Sequence, residues 1–548
     1  MASSSGGPGS GSGIPPIEIG SFVAPQPDRS EFIGSASGVF FVHTVFRAFA
    51  DAAADSESVD VPAEPSLVAA AGPASNADVA DPDSAHNFLV ASENTQDALP
   101  EADRHAPATP PSGREYGVGV LGIGRAPDLH VANRLVMLYF RNWHPMFPFL
   151  HGPSFFGQIA RFYDETARSD EPGSDPQGET CRAVISQCVF NIAASTSSSN
   201  LLPPECRIES TLALTQLLGT VSSTNTALTL QALLAMELYL IVRASLRAAS
   251  TVHGALTRML YHLGLHRCPY RYVQLPKDVC NLRQRIFWSS YVLDRYLSQA
   301  LGHPTSLNDE EIDTCIPGMK ELHQPVRPRD HSHIGSTASQ DEIQAHLPKT
   351  PSTVGQRGGD LGASGMQDSV DTMTPVRDRH NVPSPAHHHR TKPDEAGEYV
   401  LAYLATYSRL VGRILKLFHV SIHARDITWD KVLNLTCQIQ AWWNSLPSAL
   451  QDERERSSQY AALFLVLYNS LVLLVNRPFL SLPTHRTDFL SSLQAALTAS
   501  RTIVSRLRSI KESAALVWLG TLSALWMSGL VISFASLLGH YPFEKAEV

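Results

Sequence analysis

From residue 129 onward two long stretches of the chain carry apolar residues at helical spacing, and little strand-like alternation occurs anywhere. In LHVANRLVMLYFRNWHPMFPFLH (129–151) apolar residues recur at Leu135, Leu138, Tyr139 and Trp143, until Pro145 and Pro148 force an extended stretch. The run SFFGQIARFYDET follows, with Ser154 placed to cap its first turn. Further helices are predicted over about 179–193, 208–220 and 224–248. HGALTRMLYHLGLHR (253–267) predicts a helix closed by Gly264 in the left-handed conformation, with Leu265 as the apolar partner of that cap. LRQRIFWSSYVLDRYLSQALGHP (282–304) closes the same way at Gly302, with Pro304 just beyond. Five more helices are expected over 398–421, 429–446, 457–476, 486–510 and 513–538. The fold expected is all-α, a large multi-helix domain with a long disordered N-terminal segment and an internal linker.

Composition divides the 548 residues accordingly. Residues 1–30 read as a disordered Gly/Ser/Pro tail, 31–50 as a short apolar element, and 51–128 as an acidic disordered segment. The helical domain then runs over 129–317, is interrupted by a Pro/Ser/Thr/His-rich linker at 318–395, and resumes over 396–548. Twelve Asp or Glu and no Lys or Arg fall within 51–103, more than accounting for the formal net charge of −9. The rest of the chain is close to neutral, so it carries no basic footprint for tracking phosphates. Acids interspersed with Leu67–Val68 and Phe88–Leu89–Val90 suit a solvating spacer, and also a disordered contact for transcriptional coactivators. Seven cysteines, widely spaced and without a CxxC pair, suit free thiols in the cytosol or nucleus. The opening MASSSGGPGSGSG lacks the basic and apolar regions of a secretory signal.

Residues 457–476 and 513–539 contain no Asp, Glu, Lys or Arg, which makes each a membrane-span candidate. Small and hydroxylated residues in the second, and no clear sidedness of flanking charge, favour buried core helices instead. GVGVLG (117–122) satisfies GxGxxG without a surrounding βαβ unit and reads as a loop. GSASG (34–38) has Ala36 where a nucleophile elbow needs serine. His387, His388 and His389 lie in the linker and read as solvated; His253, His262 and His266 read as packing or helix C-terminal residues. No nucleophile, base or metal set can be assembled, so no catalytic residue, cofactor-binding residue or metal ligand is assigned, and no enzyme is expected.

The run HGALTRMLYHLGLHRCPYRYVQLPKDVCNLRQRIFWSSYVLDRYLSQALGHPTSLNDEEIDTCIP (253–317) carries most information. It resembles the regulatory domain of fungal-specific transcription factors, the middle homology region of the xylanolytic-activator type. The residues that match are Leu263, Gly264, His266 and Arg267; Arg283 and Arg285; Trp288, Tyr291, Asp294 and Arg295; Gly302 and Pro304; and Asp309 and Asp313. LYFRNWHPMFPFLHGPSF (138–155) looks like that domain's opening motif. LVNRPFL (474–480), with Arg477 and Pro478, resembles its later H-R-P-F-L element, Asn476 replacing the commoner histidine.

Packing is the reading preferred for these motif residues. Asp294 intrudes on an apolar helix surface and needs a cation if buried, for which Arg258, Arg267, Arg283 and Arg285 are the nearby choices. The resemblance implies a nuclear regulator of RNA polymerase II transcription, of carbon or secondary metabolism, with the transcription machinery or a related zinc-cluster factor as protein partners and no membrane. DNA and zinc belong to the family through a six-cysteine cluster at the N-terminal side. Here residues 1–180 hold no cysteine, and no DNA-binding module is visible. An upstream segment carrying the cluster, or a co-regulator acting through a DNA-binding relative, are both compatible with that departure.

Overall fold

The computed structural model describes residues 20–26, 29–46, 122–164, 175–196, 201–271, 275–319, 393–451, 458–509 and 518–542, all within one compact unit. The acidic tract 51–103, the linker histidines and most of GVGVLG lie outside the described residues. Helices dominate. They are α1 (38–46), α2 (Leu129–Asn142), α3 (Gly152–Tyr163), α4 (Pro176–Ser195), α5 (Thr211–Gln216), α6 (Leu218–Val221), α7 (Ala227–Val242), α8 (Leu246–His262) and α9 (Lys277–Leu301). After the linker come α10 (Pro393–Phe418), α11 (Trp429–Ser445), α12 (Ser448–Gln451), α13 (Ser458–Asn476), α14 (Thr487–Ser509) and α15 (Leu519–Leu537).

The core is one continuous apolar cluster running from Ala36 to Ala535. Its middle is α7, ALTLQALLAMELYLIV, apolar around its whole circumference as a helix enclosed on all sides must be. Thr226 caps it by accepting from the Thr229 N–H at 3.1 Å. It packs between α4 and α8, and α4 packs in turn on α2. Asp175 caps α4 through the Gly178 N–H, 3.0 Å away. Helix α9 bridges to the second part by packing on α10, beyond which α13, α14 and α15 pack in sequence.

Local sequence signals explain the helix ends, with three departures. The stretch expected as one helix over 224–248 is two, because Ala244 takes φ +59° and the chain turns between α7 and α8. Neither glycine nor proline marks that break, so periodicity alone runs through it. Ser154 lies inside the first turn of α3 rather than capping it. His151 holds the cap position, ahead of Pro153, and its Nδ1 shares a 2.7 Å hydrogen bond with Ser154 Oγ. Third, the tail expected over 1–30 gives way at Gly20 to β1 (Gly20–Gln26), which pairs antiparallel with β2 (Arg29–Gly34). The glycine caps are as expected. At the end of α8 Leu265 N–H reaches Leu260 O and Gly264 N–H reaches Tyr261 O, both at 3.0 Å, with Gly264 at φ +66°.

The segments Tyr460–Ser481 and Leu519–Leu537 are long and apolar enough to cross a membrane. In the fold the first is largely buried, and helices α13 and α15 both pack against α14. Their lack of charge is accounted for by core packing, and the membrane alternative is not favoured.

The hairpin is fastened where two glycines meet. A Cβ on Gly34 would stand 1.9 Å from the Gly302 carbonyl oxygen, and one on Gly302 would stand 2.5 Å from Gly34 Cα. Ser37 then caps α1 by accepting from the Phe40 N–H at 3.2 Å, and Phe41 reaches Phe534 of α15 edge-on. Gly34→Ala must therefore move backbone against backbone. It is expected to cost about 1–3 kcal/mol, read as a lower urea midpoint of the full chain; an unchanged midpoint would refute the contact.

Candidate functional site

The motif residues of 263–313 converge on the C-terminal end of α8, the α9 helix and the turn that follows it. Leu263 is the C-cap of α8, and its carbonyl accepts from Arg283 of α9. The His266 carbonyl accepts from the Asp313 N–H at 3.1 Å, while the Asp313 carboxylate accepts from Cys268 N–H and Arg271, both at 2.8 Å. Thr314 donates to Leu265 O at 2.7 Å. Trp288, fully buried, donates through Nε1 to the Cys315 carbonyl at 2.9 Å, and Arg409 of α10 covers its ring at 4.8 Å. Ser298 donates to Pro304 O at 3.3 Å. These bonds fold residues 302–318 back onto α9 and onto the chain that follows α8. Arg285 is buried near His144, which burial, followed by Arg285 and His151, lowers to about 3. Arg267 reaches only Glu311, at 3.6 Å on the surface, where an ion pair contributes little.

At the centre lies a chain of charges closed off from water. Glu237 of α7, His253 of α8, and Asp294 and Arg295 of α9 are each 0–2% exposed. His253 donates through Nδ1 to Glu237 at 2.9 Å, and its Nε2 forms an ion pair with Asp294 at 3.2 Å. Asp294 pairs on its other side with Arg295 and accepts from the Ser306 N–H at 2.9 Å and the Leu307 N–H at 3.3 Å. Arg295 continues to Leu307 O at 2.8 Å and Asp309 at 2.9 Å, and Asp309 also accepts from the Tyr291 hydroxyl at 2.5 Å. Tyr291 lies beneath the Arg295 guanidinium, 4.1 Å away. A Cβ on Gly412 would stand 2.8 Å from Arg295 Nε, so glycine lets α10 close over this group.

Burial works against every charge here, and the partners decide the outcome. Burial would drive the proton off His253, but the Glu237 and Asp294 carboxylates outweigh it and raise the imidazole to about 10. Burial would likewise raise Asp294; His253, Arg295 and the Ser306 amide hold it below the ordinary carboxylate range. Glu237 is raised, because burial exceeds the pull of His253. The four arginines expected to neutralise Asp294 (Arg258, Arg267, Arg283 and Arg285) do not; His253 and Arg295 do. His253 is thus neither a packing residue nor a helix-end residue. Glu237, the only charged residue of α7, was the signal available in the sequence for this chain, a lone carboxylate in an apolar run.

Arg477 and Pro478 stand apart from that cluster. They open a short 3-10 helix after α13, where Arg477 donates through Nη2 to the backbone carbonyls of Ser35, at 3.1 Å, and Ala36. Ser35 shares a 2.6 Å hydrogen bond with His419 Nδ1. Burial, with Arg477 and Arg425 beyond it, lowers His419 to about 3. Both Arg477 and Arg295 line a cavity of about 650 Å³ enclosed by α1, α9, α10, α13 and α15.

Zinc of the kind the family resemblance implies does not fit these residues. Six of the seven cysteines are buried at scattered places, Cys437 is exposed, and among the described residues no group of three His, Cys, Asp or Glu could hold a metal.

Comparison with known proteins identifies the family. Residues 136–444 match the profile of the fungal specific transcription factor domain. The chain is 36% identical, over 97% of its length and 72% of the relative's, to a probable transcription factor, FUP6, of Fusarium proliferatum. It is 30% identical to the transcriptional activator protein acu-15 of Neurospora crassa, over 39% of this chain and 22% of that protein. It is 32% identical to the pigment biosynthesis transcriptional activator pigB of Monascus ruber, over 12% of this chain and 11% of that protein.

The charge chain makes stability depend on pH with a definite sign. The His253 pKa lies above its unfolded value of about 6.5, so its contribution is complete below that pH and is lost as pH rises towards 10. The gap in unfolding free energy between the native chain and His253→Gln should therefore narrow from pH 7 to pH 10; a gap that stays constant would refute the charged imidazole. Asp294→Ala leaves His253 and Arg295 buried without their shared anion and should cost about 3–5 kcal/mol, read from denaturant midpoints at pH 7.

Proposed function

We propose how this chain, which belongs to the fungal specific transcription factor family and is a fungal-type transcription regulator, performs that function: its helical domain is a gate with two packings, one exposing and one withholding contact with the transcription machinery. The observation that carries this reading is the buried Glu237–His253–Asp294–Arg295 chain. A set of charges enclosed this way tolerates a correct register of α7, α8 and α9 and penalises intermediate ones, so the domain shifts between discrete states or not at all. Motif residues serve that gate by holding the 302–318 turn in place, Trp288, Tyr291 and Asp309 to α9 and Asp313 to the chain that follows α8. Support for a non-catalytic role comes from the family, which is one of transcription factors.

The site of action proposed is the nucleus, and the process is RNA polymerase II transcription of genes for carbon or secondary metabolism. The Monascus relative, a pigment biosynthesis transcriptional activator, supports the second of these. Partners proposed are proteins of the transcription machinery or a related zinc-cluster factor, with DNA reached as the family reaches it. The acidic tract at 51–103 is proposed as an activating contact, on its composition.

The whole chain joined to a heterologous DNA-binding domain should change reporter output at least several-fold relative to that domain alone. Arg295→Met, which unlinks Asp294 from Asp309, should alter the response when compared at matched protein abundance. Reporter output indistinguishable from the DNA-binding domain alone would overturn the proposal.

A further inference from the structure

The 650 Å³ cavity falls within the size range of small-molecule sites and is walled mainly by apolar side chains, among them Val411, Leu467, Leu474 and Met527. Three arginines, Arg247, Arg295 and Arg477, reach its lining, and among the described residues no Asp or Glu does. Arg295 already has its anions in Asp294 and Asp309. Arg477 does not. It is 8% exposed, and among the described residues its hydrogen bonds go only to the neutral carbonyls of Ser35 and Ala36. Both leave from Nη2, so the remaining N–H groups of this cavity-lining guanidinium have no acceptor there. Burial pulls Arg477 down to about 10, and among the described residues no acid opposes it. A charge enclosed in an apolar wall without a counter-ion is costly to fold around. At the mouth Phe32, Leu522 and Trp526 are 41%, 53% and 44% exposed, an apolar rim.

We propose that this cavity binds an amphipathic organic anion, a monocarboxylate on an apolar body, with its carboxylate on Arg477 and its body between α9, α10, α13 and α15. A single negative charge matches the Arg477 guanidinium, and a carboxylate makes stronger, charge-assisted bonds than the carbonyls it joins or displaces. A dianion would leave one charge unpaired in an apolar enclosure. Because Arg477 holds Ser35 and Ala36, at the entry to α1, the carboxylate competes with the wall that closes the cavity. Occupancy and the position of the 33–46 segment are therefore coupled. This goes beyond the gate described above and stands on the cavity alone.

The test uses the purified full chain and cis-parinaric acid, whose fluorescence rises on entering an apolar site. Dodecanoic acid and dodecan-1-ol then compete for it. The acid should displace the probe at concentrations at least tenfold below the alcohol. Arg477→Met should weaken the acid tenfold or more and leave the alcohol unchanged, with helical circular dichroism as the check on folding. Should Arg477→Met lose its helical signal, Arg477→Lys takes its place and should weaken the acid selectively. Ser470→Phe, which fills the apolar wall on α13, should weaken both ligands. Absence of saturable probe binding, equal competition by acid and alcohol, or indifference to both the Arg477 and Ser470 substitutions would each overturn the site. A chain that still drives the tethered reporter would then lose this inference and keep the gate.

Discussion

Four charged groups out of reach of water constrain the rest of this domain. Glu237, His253, Asp294 and Arg295 come from three helices, and each neutralises a neighbour. A helix rotated by one residue would carry its charge about 100° away and leave two partners bare. Apolar surfaces alone tolerate such slips, because Leu, Ile and Met interchange at modest cost. The apolar circumference of α7 gives no preference for one rotation, so Glu237 supplies it. The backbone amides of Ser306 and Leu307 extend the same requirement to the turn after α9, which fixes the path of the chain past Gly302.

Helices and their glycine ends were legible because their signals are local. The caps at Gly264 and Gly302 need only a residue free to take positive φ and the pattern around it. The motif also announced itself; its residues from 263 to 313 lie at the end of α8, on α9 and in the turn after it, while Arg477 and Pro478 lie elsewhere. Partner choice was not legible. Asp294 and Arg295 are adjacent in sequence, and a helix normally turns adjacent side chains well apart. Only a long guanidinium that bends back, under cover of α10 at Gly412, makes them partners. His253 and Glu237 lie 16 residues apart on separate helices, and neither has a local pattern that points to the other. The break at Ala244 escaped notice for the opposite reason, since alanine is the residue that least suggests one. Strand β1 was hidden by the Gly/Ser/Pro composition around it, and its pairing is set by β2 rather than by its own alternation.

The charge chain and the cavity meet at Arg295. One face of this side chain answers Asp294 and Asp309, and the side chain also forms part of the cavity wall. The same cavity is lined by Arg477, similarly enclosed but, among the described residues, tied only to backbone carbonyls. The two arginines separate two solutions to the same physical problem. One charge is balanced within the protein and locks helices together; the other is left unbalanced where a cavity reaches it.

The bonds from Arg477 to Ser35 and Ala36 span 442 and 441 positions of chain. At roughly 5–20 residues per second on the ribosome, the 33–46 segment waits for roughly 20–90 s before its anchor exists. Its other supports, Gly302 and Phe534, also come later in the chain, and Phe534 is made after Arg477. Helix α1 is thus made well before the residues that anchor it. The cavity cannot close until α13 and α15, which supply part of its wall, have been made.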